Sequence, residues 1–298
     1  MSSRTAAAAL PGGRVRQVVA DYVTLTKPKV QSLLLLTTVT TMYVAGDPSV
    51  ALVFWTVLGG SLASGGAGAV NHWYDRDIDA QMARTATRPV PAGRVSPRAA
   101  LTYGIVLAAL SFLVLSVAVN LLSACLALAG FLGYVFVYTV WLKRSTPQNI
   151  VIGGAAGAVP PLVGWAAVTG HLDPTALYLF AIVFYWTPPH FWALSLLMKD
   201  EYARVGVPMM PVVHGETETR RQILLYTCLL LVLTLIPVLF GFFGALYAAV
   251  AVALGGAFVW LAVRLQRSAD RRSALRTYLF SLAYLALLFC AMVLDARL

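Results

Sequence analysis

The chain has 298 residues, 59% of them hydrophobic and only 11% charged, with a mean hydropathy of +0.78 and a formal net charge of +10. Soluble domains carry roughly 25% charged residues, so the composition excludes an ordinary soluble enzyme and identifies an integral membrane protein, which the apolar runs below make all-α. No nucleic-acid motif accompanies the positive charge, and Cys125, Cys228 and Cys290 lack CxxC spacing; they are expected as small core residues, not ligands or disulfides.

Residues 1–29 lack the apolar core of a signal peptide and read as a basic cytoplasmic arm. The rest, 30–298, reads as one transmembrane domain. A helix needs about 17–25 apolar residues to cross a hydrocarbon core of about 30 Å. Nine such spans are predicted, near 30–46, 50–70, 101–119, 121–142, 150–169, 174–198, 222–243, 245–263 and 275–294. A β-barrel would alternate apolar and polar residues, which "SLLLLTTVTTMYVAG" does not. Threading the nine spans places 21 of the 22 Lys and Arg on one side and leaves only Arg297 on the other. By the positive-inside rule the basic side is cytoplasmic. The expectation is a multi-pass protein of the cell's inner membrane, N-terminus in the cytoplasm and C-terminus opposite. Its basic charge then serves topology and contact with anionic lipid.

Between the second and third spans lies "NHWYDRDIDAQMARTATRPVPAGR", Asn71 to Arg94. Of the twelve acidic residues, seven lie in two cytoplasmic loops: Asp75, Asp77 and Asp79, then Asp200, Glu201, Glu216 and Glu218. The two groups begin 125 residues apart, which suggests two related four-helix halves. If the second helix continues past Val70, Asn71, Asp75 and Asp79 step by about 40° each and share a face, while Asp77 points away. Carboxylates at i and i+4 repel. A hard divalent cation offsets that, and Mg²⁺ takes such oxygens together with substrate phosphate. The alternative is a solvated loop in which Asp75, Arg76, Asp77 and Arg84 merely pair at the surface.

Arg84 and Arg88 again stand at i and i+4, before Pro89 and Pro91, and Lys143 and Arg144 follow "YVFVYTVW". Cations beside metal-binding carboxylates suggest a clamp for a polyphosphate; topology anchoring is the competing reason for them. His190 follows Pro188 and Pro189, ten residues before Asp200, about 15 Å along a helix. An ionisable residue at that depth is a functional candidate; the alternative is a donor to a carbonyl freed by the prolines. "GGAAGAVPP" predicts close helix packing and a bend in the fifth span, with Gln148 and Asn149 at its polar entrance.

The "NxxxDxxxD" of Asn71, Asp75 and Asp79, "RTATRP" from Arg84, "KRSTPQNIVIGGAAGAVPPLVGW" from Lys143 and "PPHFWALSLLMKDEYARVGVPMMPVV" from Pro188 together resemble the UbiA superfamily of intramembrane prenyltransferases, in its protohaem IX farnesyltransferase (haem O synthase) branch. The resemblance runs from about Lys27 to the last helix. It implies a UbiA-type bundle of about nine helices with an active-site cap on the cytoplasmic side. It also implies Mg²⁺ held by Asn71, Asp75, Asp79, Asp200 and Glu201, with Asn71, Asp75, Asp79 and Asp200 catalytic. Diphosphate would lie on Arg84, Arg88, Lys143 and Arg144. The implied reaction joins farnesyl diphosphate to haem B with addition of water, giving haem O. His190, by its depth, is the candidate contact for the haem, and the aromatic faces of Trp73, Tyr138 or Trp141 either stabilise an allylic cation or serve as interfacial belt residues. Aromatic-acceptor members repeat Asp at four-residue spacing in the second motif; here Arg204 follows Asp200, which favours haem over a quinone precursor. The resemblance further implies hand-over of the product to haem A synthase or haem-copper oxidase assembly. Transport is the rival function of another class, since broken helices also suit substrate paths.

Overall fold

The computed structural model describes residues 11–298 and is helical throughout, without strands among them. Residues 1–10 of the predicted arm, Arg4 among them, lie outside the described residues. The rest of that arm forms α1 (Pro11–Leu25). After it come α2 (Pro28–Ala45), α3 (Val50–Tyr74), the short α4 (Arg76–Gln81) and α5 (Pro97–Ala118). Helix α6 runs Leu121–Leu132, continues as a nine-residue π-helix Gly133–Trp141 and ends in a 3₁₀ turn, Leu142–Arg144. Then follow α7 (Asn149–Gly157), α8 (Val159–Thr169), α9 (Pro174–Leu197), the short α10 (Lys199–Arg204) and α11 (Met210–Val213), and α12 (Gly215–Leu239), α13 (Ala245–Ser268) and α14 (Arg271–Asp295).

The starts of these helices are written in the sequence. Ser49, Ser96, Asn120, Asp173 and Asp270 accept first-turn N–H groups with their side chains, and Pro28, Pro97 and Pro174 fill positions with no intrahelical N–H partner. The predicted bend in the fifth span is the break between α7 and α8 at Ala158, before Pro160 and Pro161.

Each of the nine predicted spans falls on helix. Among the described residues, seven helices are long and apolar enough to cross a membrane: α3, α5, α6, α7 with α8, α12, α13 and α14. The other two are α2 and α9. Helix α2 is diluted by Lys29, Gln31 and a row of threonines, and α9 by His190, Pro188 and Pro189. Helix α9 is instead buried by protein, packing against α7, α8, α12 and α14. The chain is thus a multi-pass membrane protein. The predicted loop 199–221 is also shorter than expected, because α12 starts at Gly215 and carries Glu216 and Glu218 in its first turn.

Helix α3 packs on α5, α5 on α6, α6 on α8, α8 on α2, and α14 on both α2 and α13. Arg297 pairs with Asp47 and donates to the carbonyls of Gly46 (3.0 Å) and Tyr43 (3.4 Å), tying the end of the chain to the α2–α3 turn. The main apolar core joins Leu162 and Trp165 to Leu179, Ile182, Tyr247, Phe258, Tyr284 and Phe289. The three cysteines are not part of any core: Cys125, Cys228 and Cys290 are exposed on the outside of the bundle. Apolar solvent covers that surface of a membrane protein, so small apolar thiols sit there without penalty.

Glycine sets the closest approach. A Cβ on Gly104 would meet the Gly66 carbonyl oxygen at 2.8 Å and Val70 Cγ2 at 2.6 Å. Gly104→Ala is therefore expected to destabilise the α3–α5 contact by about 1–3 kcal/mol, seen as a lower unfolding midpoint in detergent. An unchanged midpoint would mean that the two helices can separate freely.

Candidate active site

At the basic end of the bundle α3 ends one turn before its charge cluster is complete. Asp75 closes α3 and opens α4, with φ −84° and ψ 7°, yet the backbone bonds Asp75 N–H to Asn71 O (2.9 Å) and Asp79 N–H to Asp75 O (2.8 Å) carry the helical spacing through the junction. Asn71, Asp75 and Asp79 therefore share the buried face, at 3%, 1% and 3% exposure, while Asp77 stands outside with Arg144. The single-face expectation holds through an interrupted helix.

Three cations hold the two buried carboxylates. Lys143 pairs with Asp75, Arg144 lies 3.5 Å from the same residue, and Arg88 reaches Asp79 at 2.7 Å. Arg144 also bridges outward to Asp77 with two contacts of 2.8 Å and crosses the Tyr74 ring at 4.7 Å. That hydrogen-bonded guanidinium holds the Asp77 carboxyl below its usual range. Asn71 donates to Asp75 Oδ2 (2.7 Å) and to Thr139 Oγ1 (3.2 Å).

A fourth cation, unforeseen from the sequence, is Lys27. It sits in the short link between α1 and α2 with a left-handed φ of 54°, a conformation that non-glycine residues rarely hold without a functional or packing reason. From there Nζ donates to Asn71 Oδ1 and lies 3.5 Å from the Tyr134 hydroxyl. Burial, then the charges of Arg88 and Lys143, push its ammonium down to about 7. Its only sequence signal is its place beside Pro28 at the mouth of the first span. Tyr134 and Thr139, also unforeseen, are five residues apart, one turn of a π-helix but about 140° apart on an α-helix. The π-helical stretch of α6 thus points both at the Lys27–Asn71 pair.

The second acidic segment lies against the first. Ile78 and Met82 of α4 share one apolar cluster with Met198, Val207, Met209, Met210 and Trp192. Tyr202 of α10 is raised by burial and lies in the field of Arg84, Arg88, Glu201 and Asp75. Glu201 keeps one fully buried oxygen, Oε2, without a hydrogen-bond partner. Asp200 is exposed, and Arg84 is exposed with no ion pair among the described residues. Glu216 and Glu218 turn away to Lys199, Arg220 and Arg221.

Further into the bundle, His190 of α9 is 6% exposed. It stacks on Trp186 at 4.3 Å, faces Tyr278 at 4.9 Å and meets the edge of Phe191 at 5.1 Å. Its Nδ1 lies 2.7 Å from Ser281 Oγ of α14, so its partner is a hydroxyl and not a carbonyl freed by Pro188 and Pro189. Of the three aromatics expected to face a cation, Tyr138 is half-buried beside Tyr134 at 5.3 Å, Trp73 lies under Arg76, and Trp141 faces outward. Asn149 is buried with Oδ1 unpaired, whereas Gln148 is exposed.

Asp75 Oδ1 is fully buried and accepts no hydrogen bond, with the Arg144 guanidinium 3.5 Å from it. An orphaned carboxylate oxygen beside a second carboxylate and an amide is a hard-oxygen donor set of the kind Mg²⁺ takes, so the residues fit such an ion. Among the described residues no three His, Cys, Asp or Glu side chains gather to hold one unaided, as for an ion that completes its shell with substrate oxygens. The arrangement as a whole can bind and neutralise a polyphosphate anion at the membrane edge.

Residues 34–288 match the model of the UbiA prenyltransferase family. A protein of Symbiobacterium thermophilum named protoheme IX farnesyltransferase is 56% identical over 283 residues, covering 94% of this chain and 95% of that one. One of the same name from Roseiflexus sp. is 54% identical over 280 residues, 93% of this chain but 52% of its own length; the chain spans about half of that relative. A solved structure described as a UbiA homolog from Archaeoglobus fulgidus bound to DMAPP and Mg²⁺ shares the fold with a TM-score of 0.71 at 18% identity, covering 91% of this chain and 99% of that one. The chain belongs to the UbiA prenyltransferase family, among relatives named protoheme IX farnesyltransferase.

Proposed function

We propose that this protein transfers the farnesyl group of farnesyl diphosphate to a vinyl group of haem B, with addition of water, giving haem O. The observation that carries this reading is the convergence of Lys27, Arg88, Lys143 and Arg144 on the buried Asn71, Asp75 and Asp79, with His190 deeper in the same bundle. The names of the 51–56% identical relatives supply the two substrates.

Asp75 and Asp79, with Asn71, would hold Mg²⁺ on one side of the mouth, and Asp200 with Glu201 on the other. When bound, the ion supplies Lewis-acid neutralisation of the leaving diphosphate. Lys27, Arg88, Lys143 and Arg144 then bind the diphosphate oxygens and take up the charge that develops on them as the C1–O bond breaks, with Arg84 at the entrance. The electron pair of that bond leaves with diphosphate. The haem vinyl pair forms the new carbon–carbon bond to the allylic C1, and water captures the cation left beside the pyrrole ring and releases a proton. No protein nucleophile is needed. Tyr134 and Tyr138 line the approach with aromatic faces suited to a passing cation. His190 holds the acceptor, and Trp186 and Tyr278 flank it. In this reading the basic end faces the cytoplasm of an inner membrane, and the more hydrophobic product passes to haem A synthase or haem-copper oxidase assembly.

The test is a mass spectrum of haem extracted after incubating purified protein with haem B, farnesyl diphosphate and Mg²⁺. A hydroxyethylfarnesyl adduct is expected, absent when EDTA is added. Asp75→Asn and Asp79→Asn are each expected to lower its formation at least about 100-fold with helix content and detergent stability retained; full turnover in both would sink the assignment. Lys27→Met is expected to raise the KM for farnesyl diphosphate about tenfold or more, the worth of one charge-assisted hydrogen bond, whereas an unchanged KM would make Lys27 a structural cation. His190→Ala is expected to weaken haem B binding and leave diphosphate binding unchanged, as read by separate titrations. Equal haem affinity would remove His190 from the site.

A further inference from the structure

Ser281 lies on α14, fully buried, and its hydroxyl makes two short contacts: 2.6 Å to the carbonyl oxygen of Tyr278 and 2.7 Å to Nδ1 of His190. Two electronegative atoms at such a distance need a proton between them. The carbonyl has none to give, so the serine proton goes to Tyr278 O. The serine hydroxyl has only that one proton, and the second contact must be filled from the other side, by an N–H on Nδ1.

We infer that Ser281 is a positioning residue for the acceptor: it fixes the neutral imidazole of His190 as the Nδ1–H tautomer and so leaves the Nε2 lone pair for the iron of a metalloporphyrin. A metal-binding imidazole is commonly oriented through its other nitrogen in this way. Among the described residues Nε2 has no hydrogen-bond partner. The ring is held in plane as well as in tautomer. Trp186 stacks on it with an interplanar angle of 19° and donates its indole N–H to the Ser281 carbonyl at 2.8 Å. His190, Trp186 and Ser281 thereby lock α9 to α14 with every donor aimed. The inference rests on the reading that His190 holds the acceptor haem, and it assigns the atom that does so.

Two experiments test it. Nitrogen-15 histidine spectra of the full chain without haem resolve four imidazoles, and His190→Ala identifies the signal in question. A protonated Nδ1 and an unprotonated Nε2 are expected at neutral pH; the opposite tautomer, or a rapid mixture of the two, overturns the inference with no variant of Ser281 required. With haem B bound, Ser281→Ala is expected to weaken the ferrous iron–imidazole stretching band and to lower haem affinity about 10- to 100-fold, with the KM for farnesyl diphosphate unchanged. Ser281→Thr, which keeps the hydroxyl, is expected to restore the band. An Ala variant with the band and affinity of the parent overturns the role of Ser281. If His190→Ala itself leaves the band intact, the haem contact of His190 fails instead, and the two failures are told apart.

Discussion

Two carboxylates buried at the edge of a membrane constrain everything around them. Asp75 and Asp79 are almost wholly removed from water, and an uncompensated buried charge destabilises a fold by several kcal/mol. Cations must therefore be delivered to them, and the fold draws these from places far apart in sequence: Lys143 and Arg144 from the end of α6 and Arg88 from the loop after α4, with Lys27 joining through Asn71 from the link before α2. A polyanion entering this place meets cations already gathered and desolvated, so little reorganisation stands between binding and charge stabilisation.

The two halves of the chain solve the same geometric problem. Helix α3 stops at Tyr74 and restarts as the six-residue α4; α9 stops at Leu197 and restarts as the six-residue α10. In each case an acid-bearing short helix turns over the end of a long one, and the two short helices share the apolar floor of Ile78, Met82, Met198 and Met209. The resemblance between the halves lies in this stop-and-restart pattern more than in residue identity, since Arg204 stands where a repeat of the first motif would put a second carboxylate.

What could be read in the sequence was whatever depends on neighbours in the chain. Apolar length gives the positions of the helices, and the helical step alone puts Asn71, Asp75 and Asp79 on one side. What could not be read depends on a local departure from regularity or on a distant partner. Lys27 reaches Asn71 across 44 residues through a left-handed turn. Tyr134 and Thr139 converge only on a π-helical register, which no α-helical periodicity predicts. Ser281 meets His190 across 91 residues, and serine on an apolar helix carries no signal of its own. Small size does not place Cys125, Cys228 and Cys290, because it suits a lipid-facing surface as well as a protein core.

The π-helical stretch of α6 sets where the two cations after it point. Its nine residues, Gly133–Trp141, fit one more residue into each turn than an α-helix, and they lie directly upstream of Lys143 and Arg144. Were the same nine residues to wind as an ordinary α-helix, each would turn by about 100°, and the end of the segment would rotate relative to its start, taking both cations off Asp75 without changing either of them. The stretch is a spacer whose backbone register matters more than its spelling: whatever undoes its π-helical turns acts on the charged site at its end.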